Sequence, residues 1–244
     1  MSIRNSLLRT YFARRMKAID RFRRHPDQVQ AEMFRQLIAR GADTKFGRRH
    51  GVAKHLTPEA FAARVGVQDY ESFKPYIERM LAGEKNVAAP GRVTLFARSS
   101  GTTSDRSKFI PVTRESVWWN HTLGMRDVAA VYASAKPQTK IFDGKTLTLG
   151  GSYVRENGAL IGDLSAVLIS QTPFWSGWFR APKMETALIP DFDRKIEGIC
   201  RECTREKITA FAGVPSWNLV LMRRVLEYCL LYTSDAADDS LRVD

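Results

Sequence analysis

Residues 96–111 have the sequence FARSSGTTSDRSKFIP, in which two apolar runs enclose a segment rich in hydroxyl side chains. One apolar run, residues 93–97, precedes this segment, and the other, Phe109-Ile110-Pro111-Val112, follows it. Short apolar runs bounded by small polar residues are typical of strands joined by a loop. The sequence therefore predicts two strands with a Ser/Thr-rich loop between them.

The predicted loop has the chemistry of a phosphate-binding segment. Gly101 lacks a Cβ, so the backbone there can approach a ligand closely. Hydroxyl and backbone N–H groups can donate to a polyanion, and Lys108 adds a full positive charge. A Ser/Thr-rich surface turn would have the same composition. On this chemistry alone both interpretations remain open.

Composition places the chain among ordinary folded proteins. Of its 244 residues, 44% are hydrophobic, as is usual for globular domains. The sequence has no apolar run of about 18 residues, so we expect no stable membrane insertion. Three cysteines do not make a disulfide framework, which favours a reducing, cytoplasmic location.

The chain is basic, with 38 Lys and Arg against 26 Asp and Glu and a net charge of +12. Many cations lie near the N-terminus, where apolar residues at helical spacing predict an amphipathic helix over residues 3–22. Such a helix can bind an anionic lipid surface or nucleic acid. We favour the alternative, in which its apolar stripe packs against the rest of the protein and its cations form an ordinary solvated face. We expect no nucleic-acid partner, because the sequence lacks zinc-finger spacing, an RNP pattern and a basic-zipper heptad.

The first 85 residues are predicted to be helical. Thr57-Pro58-Glu59, for example, combines a capping residue, a proline at the first helical position and an acid in the first turn. From residue 86 the pattern changes to short strands that alternate with helices. The predicted division is a helical N-terminal region (residues 1–85), an α/β part (residues 86–231), and a disordered or non-native acidic tail (residues 232–244).

One predicted strand–turn–helix unit lies near the end of the α/β part. Residues 208–212 are predicted to form a buried strand, and Gly213-Val214-Pro215-Ser216-Trp217 is the turn that follows it. Ligands in α/β sheets gather at the carboxyl ends of strands. The turn is therefore predicted to lie at a ligand-facing edge.

Cys200 and Cys203 are predicted to be core residues, and no metal site is predicted. With Ile196 and Ile199 they occupy the positions i, i+3, i+4 and i+7 of one helical stripe. A zinc site needs four ligands, and no second Cys pair follows. A redox pair would need an exposed helix N-terminus.

Four segments together resemble the GH3 family of acyl-acid amido synthetases, which is part of the adenylate-forming superfamily. The resemblance extends from about residue 30 to residue 231. The segments are Ser99-Ser100-Gly101-Thr102-Thr103 with Lys108-Phe109-Ile110-Pro111, Thr44-Lys45-Phe46-Gly47, Tyr70-Glu71-Ser72-Phe73-Lys74-Pro75-Tyr76-Ile77, and Gly213-Val214-Pro215-Ser216-Trp217.

The resemblance implies a mixed α/β fold, with the helical N-terminal region followed by the first part of an adenylate-forming (ANL-like) large domain. It also implies a two-step reaction in which ATP activates a small carboxylic acid as an acyl-adenylate and an amino acid then displaces AMP. ATP and Mg²⁺ are the implied cofactors, and the acid and the amino acid are the implied partners. It does not indicate an oligomeric state.

The resemblance also assigns roles to individual residues. It implies phosphate binding by Ser99, Ser100, Gly101, Thr102 and Thr103, and a catalytic role for Lys108. It places the acid against Gly213, Val214, Pro215 and Ser216, with Trp175 contributing.

The sequence departs from the family pattern in two respects. Asp105 stands where plant members have a glycine. The later signatures for adenine, ribose and Mg²⁺, and the mobile C-terminal domain, are not found, so the chain is expected to be a fragment. Two alternatives therefore remain. The chain could bind a nucleotide without turnover, or it could be a basic module that binds nucleic acid or a membrane through its N-terminal helix.

Overall fold

The computed structural model describes residues 2–99 and 107–239, with side chains up to residue 230. Six helices precede the first strand in this part of the chain. They are α1 (Ile3–Ala13), α2 (Met16–Arg24), α3 (Pro26–Gly41), α4 (Lys45–Arg49), α5 (Pro58–Val65) and α6 (Tyr70–Leu81). The remainder of the described chain contains the strands.

The strands are β1 (Leu95–Arg98), β2 (Phe109–Val112), β3 (Lys145–Leu149), β4 (Tyr153–Glu156), β5 (Ala159–Gly162), β6 (Arg180–Ala181) and β7 (Ile208–Gly213). The later helices are α7 (Arg114–Ser116), which continues through a π-helical segment (Val117–Thr122) into α8 (Leu123–Ala135), then α9 (Leu164–Ser170), α10 (Met184–Ala187), α11 (Phe192–Cys203) and α12 (Pro215–Asp239). Short 3-10 helices cover Ile141–Asp143 and Phe174–Trp178. The mixed α/β class that the sequence predicts is confirmed.

Side-chain caps fix where several helices begin. The side chains of Thr57, Asp69, Thr113 and Asp191 each accept a hydrogen bond from the backbone N–H three residues further along. Each cap satisfies one of the N–H groups that a helix start leaves without a partner. The helix start predicted from Thr57-Pro58-Glu59 is thereby confirmed.

The first sheet has four strands in the order β2-β1-β5-β4, and its two central strands, β1 and β5, are largely buried on both faces. β1 pairs antiparallel with β2 and parallel with β5. Phe96 on β1 is fully buried against Ile77 and Met80 of α6. Leu95 on the opposite face packs against Val167 of α9. The apolar run before the Ser/Thr-rich segment therefore leads into β1, one of the two central strands of this sheet.

The second sheet has three parallel strands in the order β6-β3-β7. Leu149 on β3 packs against Ile199 and Cys200 of α11 and Leu221 of α12. β7 lies at the edge of this sheet in the described chain, and Phe211 is 49% exposed. The prediction that residues 208–212 form a buried strand is wrong, because only one side of β7 is paired.

The predicted helix over residues 3–22 is two helices, α1 and α2, separated at Arg14 and Arg15. At the break, the Arg15 guanidinium donates two hydrogen bonds, of 2.7 and 3.1 Å, to the Asp127 carboxylate on α8. Asn5 on α1 is fully buried and donates to the backbone oxygen of Thr139 at 3.0 Å. α1 is thus packed onto the rest of the fold.

No helix in the described part of the chain combines the length and apolarity needed to cross a membrane. α12 extends to Asp239, so its backbone is helical beyond the boundary predicted at residue 231. Residues 240–244 lie outside the described residues. The division of the chain into three regions, with a non-native tail, stays a prediction.

Cys200 and Cys203 are buried on the inner face of α11, as the sequence predicts, whereas Cys229 is exposed. Burial raises the pKa of Cys203 to about 12 and also raises that of Cys200. Since the thiolate is the reactive form, at pH 8 we expect an aromatic disulfide reagent to modify Cys229 rapidly in the native protein. Cys200 and Cys203 should react only after unfolding. Rapid modification of all three thiols in the folded protein would contradict this prediction.

Candidate functional site

Ser99 and Lys108 close the base of the Ser/Thr-rich segment. The Ser99 N–H donates to the Lys108 carbonyl oxygen at 2.9 Å, and the Lys108 N–H donates to Ser99 Oγ at 3.0 Å. These bonds extend the antiparallel pairing of β1 and β2 by one step. The other predicted phosphate-binding residues, Ser100, Gly101, Thr102 and Thr103, lie outside the described residues.

Tyr70, the first residue of α6, contacts both Lys108 and Phe109 where the chain enters β2. Its hydroxyl oxygen accepts a hydrogen bond from the Phe109 N–H at 2.9 Å. The Lys108 ammonium lies 5.2 Å from the centre of the Tyr70 ring, a cation–π contact. Hydrogen bonds from Ser72 lower the pKa of the neighbouring Asp69, and the charge of Lys108 contributes to the same shift.

Within the described residues, the Lys108 ammonium is oriented by an aromatic ring rather than by a salt bridge. Among the ion pairs formed by residues 2–99 and 107–230, none joins Lys108 to a carboxylate. The cation is half-buried, and no described carboxylate has to release it before it can bind an anion. This is a suitable arrangement for phosphate recognition.

The segment Thr44-Lys45-Phe46-Gly47 supports α6 from behind. Thr44 caps α4, and its Oγ1 accepts from the Gly47 N–H at 3.0 Å. The Phe46 ring packs edge-on against Phe73 and Tyr76 of α6, with centroid distances of 5.5 and 5.2 Å. This segment therefore contributes to the site by fixing α6, the helix that presents Tyr70.

The carboxyl ends of parallel strands place the predicted site residues along two sheet edges. In the first sheet, Ala97 is paired with Gly162, so the chain leaves β1 and β5 at the same edge. In the second sheet, Leu149 is paired with Gly213, so β3 and β7 end together. The predicted substrate-binding residues 213–216 thus follow a carboxyl end, where ligands bind in α/β folds.

A sheet-joining turn, Gly150-Gly151-Ser152, connects these two edges. It runs from the end of β3 in the second sheet to the start of β4 in the first. The Ser152 N–H donates to Asp163 Oδ2 at 3.1 Å, and the Gly151 N–H donates to Ser165 Oγ at 3.0 Å. The turn is therefore anchored to the chain that follows β5.

Lys195 anchors the same turn from the other side, and the sequence-based prediction missed it. Its Nζ, on α11, donates to the carbonyl oxygens of Gly150 and Gly151, both at 2.7 Å. Burial lowers the pKa of Lys195, while the charge of Asp163 acts in the opposite direction. The sequence did contain a sign that Lys195 is unusual. It lies four residues before Ile199, so this lysine is on the apolar stripe of α11.

Trp175 belongs to a different segment from residues 213–216. It lies in the 3-10 helix just before β6, and the Phe179 carbonyl oxygen accepts from the Thr146 N–H at the beginning of β3. Gly213 is instead paired with Leu149 at the end of β3. A shared role of Trp175 and residues 213–216 in binding the acid stays a prediction.

Tyr70 offers a direct test of how Lys108 is held. Tyr70→Phe removes the acceptor for the Phe109 N–H but keeps the ring under Lys108. We expect it to lower the free energy of unfolding by about 1 kcal/mol and to leave ligand affinity within about threefold of wild type. Tyr70→Ala removes both contacts and should also weaken anion binding. Chemical denaturation and ATP titration of the two variants measure these effects, and equal ligand affinities would show that the ring does not orient Lys108.

The fold is that of the N-terminal part of an acyl-acid amido synthetase. The GH3.15 acyl acid amido synthetase aligns with 87% of this chain and 38% of its own chain, with a TM-score of 0.65 and 17% identity. The structure described as AtGH3.15 acyl acid amido synthetase in complex with 2,4-DB aligns with 80% of this chain, with a TM-score of 0.63 and 19% identity. At these identities the likeness shows the fold alone.

The chain belongs to the GH3 family, because the GH3 family N-terminal domain matches residues 15–230. A probable indole-3-acetic acid-amido synthetase GH3.2 of Oryza sativa subsp. japonica is 33% identical over 106 residues, which cover 43% of this chain and 17% of the relative. The indole-3-acetic acid-amido synthetase GH3.3 of Arabidopsis thaliana is 28% identical over 103 residues, or 42% of this chain and 17% of the relative. These alignments span less than a fifth of each relative's length.

Proposed function

We propose that this chain provides the phosphate-facing part of an ATP-dependent acyl-acid amido synthetase. The observation that supports this most is the half-buried Lys108 ammonium, which Tyr70 orients beside a Ser/Thr-rich segment in a GH3 chain. In the first step a carboxylate oxygen attacks the α-phosphorus of ATP, and the bond to pyrophosphate breaks. In the second step an amino-acid nitrogen attacks the acyl carbon, AMP leaves, and the nitrogen loses a proton.

Lys108 acts in the first step by electrostatics. Negative charge grows on the departing pyrophosphate, and a cation already held in place stabilises that charge without reorganisation. Phosphoryl-group chemistry of this kind depends mainly on positioning and charge, so no protein nucleophile is required. Ser99, Ser100, Thr102 and Thr103 are proposed to donate hydrogen bonds to the phosphates, with Gly101 allowing close backbone approach.

ATP fits the described residues, because an oriented cation lies at the carboxyl edge of the first sheet. Mg²⁺ is proposed only as the ion that accompanies the ATP phosphates. No group of three or more His, Cys, Asp or Glu in residues 2–99 and 107–230 is arranged to hold a metal ion. We therefore assign no described residue to Mg²⁺. The location of the reaction is proposed to be the cytoplasm.

Residues 213–216 are proposed to face the carboxylic acid, because they follow the carboxyl end of β7. A contribution of Trp175, in the 3-10 helix that precedes β6, stays a prediction. Two relatives are described as acting on indole-3-acetic acid, and one structure is described as a complex with 2,4-DB. An aryl-substituted carboxylic acid is therefore the class of substrate to test first, with an amino acid as the acceptor.

The test is ATP–pyrophosphate exchange by the 244-residue chain, with indole-3-acetic acid, 2,4-DB and simple aryl and alkyl acids as probes. Acid-dependent exchange is the expected result, because only the adenylation step returns labelled pyrophosphate to ATP. ATP binding without exchange would replace the proposal with a nucleotide-binding role lacking turnover. The chain covers 38% of the solved GH3.15 chain. Absence of ATP binding would contradict both functions.

A further inference from the structure

Lys195 is a buried cation to which the proposed reaction gives no role. Its side chain is 2% exposed, and its ammonium donates to two backbone oxygens of the sheet-joining turn, each at 2.7 Å. A buried charge costs several kcal/mol of desolvation unless hydrogen bonds offset it. The two hydrogen bonds to the sheet-joining turn offset this desolvation cost.

The sheet-joining turn has little freedom to move. A Cβ at Gly151 would overlap the Asp163 carboxylate, and one at Gly150 would lie 2.9 Å from Ile169 Cδ1. The carbonyl oxygens of Gly150 and Gly151 are held by Lys195, while the N–H groups of Gly151 and Ser152 are held by the chain after β5. Residues 150–152 are therefore held from two sides. Lys195 of α11, which packs on the second sheet, bonds to their carbonyl oxygens, and the chain after β5 of the first sheet bonds to their N–H groups.

We propose that Lys195 is a positioning residue that sets the carboxyl edge of the second sheet relative to that of the first. This inference rests on the proposed function, in which Ser99 and Lys108 on the first edge bind ATP and residues 213–216 on the second bind the acid. Lys195 touches neither ligand in this scheme. It acts through the sheet-joining turn.

The expected consequence concerns rate rather than binding. Adenylation requires the acid oxygen within about 3–3.5 Å of the α-phosphorus, and a displacement of about 1 Å can lower a rate about 100-fold. Each ligand would still meet its own sheet edge if the edges shifted slightly. Loss of Lys195 should therefore lower kcat and leave the KM values for ATP and acid nearly unchanged.

The test compares Lys195→Met with Lys136→Met, which alters an exposed lysine at the end of α8. In ATP–pyrophosphate exchange, Lys195→Met should lower kcat about 100-fold with less than threefold change in either KM. Lys136→Met should match wild type. An unchanged kcat, or a loss that appears only in the KM values, would overturn the proposal.

Amide hydrogen exchange provides a readout that needs no turnover, so it separates failure of this inference from failure of the proposed function. In Lys195→Met, the Gly151 and Ser152 amides should exchange at least tenfold faster, while the Phe96 amide in the first sheet should be unaffected. Unchanged rates at Gly151 and Ser152 would show that Lys195 does not fix the turn, whatever the exchange assay gives. If Lys195→Met does not fold, Lys195→Gln takes its place. The Gly151 and Ser152 amides should again exchange faster than in wild type, and unchanged rates would overturn the proposal.

Discussion

Replacing Lys108 with alanine is expected to lower the rate of ATP–pyrophosphate exchange by about 100-fold or more and to leave the fold intact. Loss of one preorganised group that stabilises developing charge costs about 10²–10³ in rate. The folded state loses only a cation–π contact with Tyr70, which is worth about 0.5–1 kcal/mol at a partly exposed site. Exchange kinetics and thermal unfolding of the same preparation measure the two effects.

Two further variants make this prediction specific to a cation at position 108. Lys108→Arg keeps the charge and should retain more exchange activity than Lys108→Ala. Lys136→Ala removes an exposed lysine elsewhere and should behave as wild type. If Lys108→Ala instead unfolds the protein, Lys108 is a structural residue and its proposed role is wrong.

Gly47→Ala is expected to destabilise the protein by about 3 kcal/mol, near the upper end of the usual cost of overpacking. A Cβ at position 47 would overlap the Gly41 carbonyl oxygen and lie 2.8 Å from that of Ala42. Both neighbours are backbone atoms, so relief requires α3 to move away from α4. Urea denaturation should show a lower midpoint with the same dependence on urea concentration.

Gly41→Ala is the matched control for Gly47→Ala, because it adds the same methyl group at the other side of this contact. A Cβ at Gly41 would meet nothing within 4 Å. Since Gly41 is the last residue of α3, alanine there should change stability by less than about 1 kcal/mol. Equal destabilisation by the two substitutions would show that close packing between α3 and α4 is not what requires Gly47.

Short-range features were predictable from the sequence because their causes lie within a few residues. The start of α5 follows from a Thr57 cap and a proline at the first helical position. The pairing of β1 with β2 follows from two apolar runs around a polar segment. The burial of Cys200 and Cys203 follows from their place on one stripe of α11.

Other features depend on which distant segments pack together, and the sequence does not contain that information locally. β7 is apolar enough to be buried, but it lies at a sheet edge in the described chain, so Phe211 is half-exposed. Trp175 is aromatic and suits a pocket, but only the structure shows that β6, the strand after it, pairs with the first part of β3 whereas Gly213 pairs with its end. The position of Lys195 on the apolar stripe of α11 is visible in the sequence, but its two carbonyl partners in the sheet-joining turn are not.

The segments that resemble the GH3 family have physical roles in this fold. Tyr70 accepts from the Phe109 N–H and faces the Lys108 ammonium. Phe46 supports the helix that presents Tyr70, and Gly47 allows α4 to approach α3. The upstream segments and the base of the Ser/Thr-rich segment are therefore parts of one structural unit, although Tyr70 and Phe109 lie 39 positions apart in the chain.

The most direct test of the central claim, that Lys108 belongs to an ATP site, is equilibrium ATP binding measured by isothermal titration calorimetry. We predict saturable binding of ATP to the wild-type chain and to Lys136→Ala. Lys108→Ala should bind at least tenfold more weakly, since a hydrogen bond to a charged group is worth about 1.5–3 kcal/mol. Equal affinity of wild type and Lys108→Ala for ATP, or no binding by either, would contradict the claim.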